Sequence, residues 1–294
     1  MIMPYINDYL CEHKAEKINV GISGADVYVI DDMYVLKHVV RNKLRNPELF
    51  STYRKEAHLY KAINNKQLRC LPEVISINES DDEIIILMKK YRMVEHADVN
   101  DTVLSKIMKA LAMIHHSQPP EFLLQDRSAV MPLSEEQIMN CVNGWRSVLR
   151  EHKGLFDEKP IDNIAANINP IILWHASGGS KLIHGDFHLN NLMYDEEGEI
   201  VVCDWQSVSV GDPSDDLSFF LSRFNADWYN ISERALIDQY SKAVYELYGK
   251  TTDNEAICGH MAAKTLITSF LYWHEYLHGA LEERVRTVYE KMVE

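Results

Sequence analysis

Leu182-Ile183-His184-Gly185-Asp186-Phe187-His188-Leu189-Asn190-Asn191 runs on through Leu192-Met193-Tyr194, Asp195-Glu196-Glu197-Gly198 and Glu199-Ile200-Val201-Val202-Cys203-Asp204-Trp205-Gln206. Two short apolar runs flank an acidic turn that ends in Gly, which reads as a β-hairpin. If Glu197 and Gly198 form a two-residue loop, cross-strand pairing sets Asn191 opposite Asp204 at the open end. An amide oxygen beside a carboxylate is a pair of hard ligands suited to Mg²⁺. Asp186, on the loop entering the hairpin, is a third acidic group near the same point, placed to accept or orient the proton of an attacking hydroxyl.

Working outward, the first ninety residues read as strands with one helix. Val27 to Ile30 and Tyr34 to Val40 are β-branched runs separated by three turn residues, a second hairpin, and Ile84 to Met88 is a buried strand. Between them Phe50, Tyr53, Ala57, Tyr60 and Ile63 form the stripe of an amphipathic helix, with Glu56 at its edge. After Tyr91 the pattern turns helical: Leu104, Ile107, Leu111 and Ile114 share a face that stops at Gln118-Pro119-Pro120. Residues 121 to 180 read as helical fragments and loops. From about residue 255 the chain is helical again, and the spacing of Phe270, Tyr272, Trp273 and Tyr276 predicts a core stripe.

His184-Gly185-Asp186 through Asn191, with Asp204-Trp205-Gln206 beyond it, resembles the catalytic and metal-binding segments of the aminoglycoside phosphotransferase and choline kinase superfamily. The Gln206 variant is similar to the ecdysteroid-kinase-like branch. Gly211-Asp212-Pro213-Ser214-Asp215-Asp216-Leu217 resembles a further element of that superfamily, in which the position of Asp216 supports the catalytic loop from behind. The resemblance implies an α+β, protein-kinase-like two-lobed fold: a small β-rich lobe over residues 1–93 that binds nucleotide and a larger, mainly helical catalytic and substrate-binding lobe over 94–294. It implies ATP and Mg²⁺ as cofactors, Asp186 as the catalytic residue, and Asn191 and Asp204 as metal ligands. By the same resemblance Ser23 and Gly24 would fall in a nucleotide-covering loop, Lys37 would meet the phosphates with Glu56 as its ion-pair partner, and Met88, Lys89 and Tyr91 would lie at the hinge that holds adenine. His184 is expected to brace the loop.

Composition narrows the partners. With Asp plus Glu at 44 against Lys plus Arg at 30, the formal charge of −14 disfavours nucleic acid and favours a cationic small acceptor. The five cysteines are scattered, with no Cys-x-x-Cys pair, and neither a secretory signal nor an apolar run of membrane-spanning length is visible, so the expected location is the cytoplasm. The expected function is phosphorylation of a small-molecule hydroxyl, on an aminoglycoside or on a choline-, ethanolamine- or sugar-type metabolite. Two other classes compete: a non-catalytic nucleotide-binding protein, and a zinc hydrolase using His274-Glu275-x-x-His278 on one helix face.

Overall fold

The computed structural model describes residues 6–18, 24–125, 130–152, 154–226 and 230–293. Strands β1 (Ala15–Ile18), β2 (Asp26–Ile30), β3 (Tyr34–Val40), β4 (Val74–Glu79) and β5 (Glu83–Lys89) form one antiparallel sheet in the order β1-β2-β3-β5-β4. Its two faces explain the unbroken apolar run of β5. Ile84, Ile86 and Met88 pack with helix α2 (Leu49–Ala62) in the main core, while Ile85 and Leu87 join Ile30 and Leu36 beneath α1 (Ile6–Glu12). A strand covered on both sides has no reason to alternate.

A two-residue strand β6 (Arg92–Met93) leads into α3 (Asp101–His116), whose N-cap Asn100 accepts from the Thr102 and Val103 amides. Leu104, Ile107, Leu111 and Ile114 are all buried along it. Beyond the Pro119-Pro120 break come α4 (Glu121–Gln125), α5 (Glu135–Glu151) and α6 (Lys159–Ser177). The expectation of fragments and loops in this stretch is corrected, since two helices of 17 and 19 residues occupy most of it. Ser134 and Gln137 close a capping box at the start of α5, and α6 carries Pro170 inside its span without ending there. Asn169 bonds both the N–H and the C=O of Leu133, at 2.7 and 2.9 Å, pinning α6 to the entry of α5.

Strands β7 (Lys181–Ile183), β8 (Leu192–Tyr194), β9 (Ile200–Val202) and β10 (Ser209–Gly211) follow, then α7 (Pro213–Ala226), α8 (Glu233–Tyr248), α9 (Asn254–Thr268), α10 (His274–Tyr276) and α11 (Glu282–Val293). One core cluster joins the sheet, α2, α3, the β8–β9 hairpin, α7 and α8, and a second joins α5 and α6 to the carboxy-terminal helices. The aromatic stripe divides: Phe270 is fully buried, but Tyr272 and Tyr276 are 57% and 68% exposed. A π-type turn over Ser269–Trp273 rotates the helical period there, so residues spaced for one face do not stay on it. Among the described residues no helix is long and apolar enough to cross a membrane.

Candidate active site

The hairpin register differs from expectation by one residue. Leu192 pairs with Val202 and Tyr194 with Ile200, so Asn191 faces Cys203, whose amide donates to Asn191 O at 2.8 Å. The turn is a three-residue loop, Glu196 to Gly198, closed by Asp195 and Glu199, with Gly198 at φ +74°. The Asp195 carboxylate accepts from the amides of Glu197 and Glu199, which favours this longer loop over a two-residue one. Asp204 then adopts a left-handed backbone, φ 63°, which re-aims its side chain.

That re-aimed carboxylate meets the sheet. Lys37 Nζ lies 2.8 Å from Glu56 Oε2 and 2.9 Å from Asp204 Oδ1, bringing together residues from β3, α2 and the end of β9. Lys37 shares its sheet face with Ile86, its partner across β3 and β5, which turns the ammonium toward α2. Glu56 is buried, and its other oxygen accepts from Tyr60 Oη and the Trp205 amide. Burial works against the Lys37 charge, but Glu56 and Asp204 outweigh it and hold the ammonium above its usual range. Burial likewise pushes against Asp204, and Lys37 with Gln206 keeps that carboxyl below the usual carboxylate value.

The 184–191 loop is held from beneath. Asp216 is fully buried and takes the His184 and Gly185 amides on its two oxygens, each at 2.8 Å. His115 bridges Asp216 and the Tyr240 hydroxyl at 3.2 and 2.9 Å, an arrangement the sequence did not announce because α3, α7 and α8 lie far apart in the chain. His184 Nε2 donates to Cys203 O at 3.0 Å and its Nδ1 accepts from Asp186 N at 3.3 Å, and burial lowers its pKa, so it sits neutral between loop and hairpin. Gly185 has φ +80°, and a Cβ there would stand 2.4 Å from Ser207 O.

Asp186 is half-exposed. Burial raises its carboxyl, but the neighbouring His188, 3.6 Å away, more than offsets this and leaves it below the ordinary range. Asn191 Nδ2 donates to Asp186 O at 2.9 Å and lies 3.3 Å from His188 Nε2, and among the described residues no hydrogen bond engages its Oδ1. Asp204 Oδ2 has no protein donor among the described residues, so an amide oxygen and a carboxylate oxygen both remain for a hard cation.

The remaining expected residues separate. Met88 is buried on the Lys37 face, whereas Lys89 points the other way and pairs with Glu196 at 2.8 Å. Tyr91 Oη accepts from the Glu73 amide, and with Lys89 it lines an outer groove that includes Met33 and Ile75. Gly24 stands exposed at φ +93° beside the Leu44–Arg45 backbone, and Ser23 lies outside the described residues. His274 and His278 do not share a helix face: α10 ends at Tyr276, and His278 Nδ1 bonds Glu151 at 2.7 Å.

A family model described as the phosphotransferase enzyme family matches residues 14–252. The chain belongs to this family. No curated protein matches it in sequence. Among solved structures this phosphotransferase is similar to aminoglycoside phosphotransferase APH(2″)-Ib with ADP bound, at 15% identity over 100% of this chain and 97% of that one, TM-score 0.55. It is similar to an ethanolamine kinase of Plasmodium vivax, at 13% identity over 98% and 83% of the two chains, TM-score 0.58. A choline kinase from Cryptosporidium parvum gives 12% identity over 97% and 89%, TM-score 0.58. The shared architecture is the two-lobed, kinase-like α+β fold.

Proposed function

We propose that this phosphotransferase is an ATP- and Mg²⁺-dependent kinase that phosphorylates a hydroxyl of a small, diffusible acceptor in the cytoplasm. The observation that carries the proposal is the Lys37–Glu56–Asp204 cluster, which joins β3, α2 and the loop after β9 into one charged site. Residues 1–93 would form the nucleotide lobe and 94–294 the catalytic and substrate-binding lobe, with Met88 and the backbone after it against adenine. Glu56 holds Lys37 in place for phosphate oxygens. Asn191 Oδ1 and Asp204 Oδ2 fit Mg²⁺, which when bound neutralises phosphate charge. A carboxyl held below its ordinary value, like that of Asp186, is ionised at neutral pH and orients the acceptor hydroxyl more than it deprotonates it. Asp216 and His184 keep that loop fixed, so positioning supplies most of the catalysis.

The test is ADP release with ATP and Mg²⁺ across aminoglycosides, amino alcohols, sugars and nucleosides. The Asp186→Ala variant should lower acceptor-dependent turnover by about 10²–10⁴-fold while nucleotide binding by titration stays within about threefold. Equal loss of binding and turnover would remove Asp186 from its assigned role.

A further inference from the structure

A cavity of about 350 Å³ opens between α2, α4, α6, β10, the start of α7, and α9. It lies outside the Lys37 cluster, and its polar wall is a second, partly buried ion group. We propose that this cavity is the acceptor pocket and that its acceptor is an uncharged polyhydroxylated molecule about one ring in size, a sugar or cyclitol. The proposal deepens the kinase assignment and rests on it.

Three observations support the assignment, the first of them against the cation that the overall charge suggests. The first is local charge: Lys55 and Lys264 line the cavity against Asp212 and Asp215. Asp215 Oδ1 already takes Lys264 at 2.7 Å and His175 at 3.2 Å, and Asp212 Oδ1 takes the Ser214 amide at 2.9 Å. A cationic acceptor would add a third positive group to a lining that already sets two lysines against two aspartates, and an anionic one would face the two aspartates. Hydroxyls add donors and acceptors to such a wall without adding charge.

The second is the opposite wall. Leu123, Ile172, Val210 and Ile267 give an apolar surface for the C–H face of a ring. The volume stands at the lower end of the roughly 300–1,000 Å³ of small-molecule pockets. The third is reach. Ser209, on the cavity wall, is opposite Ile183 in the β7–β10 pair, three residues before Asp186. Gly185 turns the chain at φ +80°, so Ile183 to Asp186 spans less than the roughly 10 Å of three extended residues, which keeps Asp186 within reach of a hydroxyl on a ring seated at this end of the cavity. Asp215 is also the immediate neighbour of Asp216, which grips the loop, so the pocket wall and the loop brace share the first turn of α7.

The experiment compares ADP release with neutral sugars and cyclitols against choline, ethanolamine and kanamycin, alongside titration of the same compounds into Asp186→Asn. The expected result is turnover with a neutral polyol, with its KM raised about ten- to a hundredfold in Lys264→Met and in Asp215→Asn and the KM for ATP unmoved in both. Circular dichroism checks that each variant folds, and Lys264→Arg should recover part of the acceptor KM. Turnover confined to a cationic acceptor leaves the kinase assignment standing and overturns this one. A neutral polyol that binds Asp186→Asn but is never phosphorylated by the natural chain sinks the kinase assignment and keeps the ligand class. The absence of both binding and turnover with every neutral polyol overturns the inference.

Discussion

Lys37 and Asp215 stand at the centres of two partly buried ion clusters built to opposite plans. Lys37 lies between two carboxylates, Glu56 and Asp204, whereas Asp215 lies between two basic groups, Lys264 and His175. In the first cluster one ammonium faces two carboxylates, so negative charge is in excess and the site is suited to a further cation. In the second the central carboxylate is engaged by both neighbours, and the cavity lining as a whole sets two lysines against two aspartates. On the proposed roles, the same residue types would prepare one site for metal and phosphate and the other for an uncharged ligand, and the net charge of −14 predicts neither. Asp204→Asn is the strongest way to break this contrast. It removes the excess charge without changing shape, and turnover measured by ADP release at saturating Mg²⁺ should fall about 10³-fold, roughly 4 kcal/mol of transition-state stabilisation. A loss under tenfold would mean that the excess carboxylate does not serve the reaction.

The next effect separates stability from activity inside the first cluster. Glu56 is only 1% exposed, so Lys37→Met leaves a buried carboxylate with no cation beside it. Removing one partner of such a pair costs about 3–5 kcal/mol, read as a drop in urea unfolding free energy. In Lys37→Met/Glu56→Gln the stranded charge is gone, and much of that stability should return while turnover stays low. Recovery of both together would show that the pair serves only the fold.

What the sequence made legible follows where each signal was local. The β2–β3 hairpin, the β5 run, and the faces of α2 and α3 rest on spacing within one element, and they formed as read. The β8–β9 register was missed by one residue because Gly198 closes a three-residue loop as readily as a two-residue one, and only the Asp195 side chain decides between them. The slip does not separate Asp204 from Lys37, because the left-handed Asp204 turns its carboxylate back toward the ammonium. Both missed helices carried a signal, α5 in the Ser134-x-x-Gln137 capping box and α6 in Ile161, Ile164, Ile168 and Ile172 at steps of three and four, but Pro170 inside that period argues against a helix. Lys264 and His175 had no signal at all. Their meeting with Asp215 depends on α6, α7 and α9 packing together, which no local pattern encodes.

The smallest effect sharpens the comparison through pH. Burial works to raise the Asp215 carboxyl, but His175 and Lys264 outweigh it and bring it from 3.8 down to about 2. A carboxyl with a depressed folded-state pKa stabilises the fold above its unfolded value, and that contribution is lost as pH falls through the folded value. At about 1.4 kcal/mol per pKa unit the contribution is about 2.5 kcal/mol, present above pH 4 and fading between about pH 4 and pH 2. Asp215→Asn has no such carboxyl, so it should be the less stable protein near neutrality and lose less on acidification. Urea unfolding of both proteins at pH 5, 4 and 3 should therefore show the gap between them narrowing. If the gap held constant, Asp215 would not be carrying its charge in the matched state that makes its cavity fit for a neutral ligand, and the contrast with the Lys37 cluster would fail at that point.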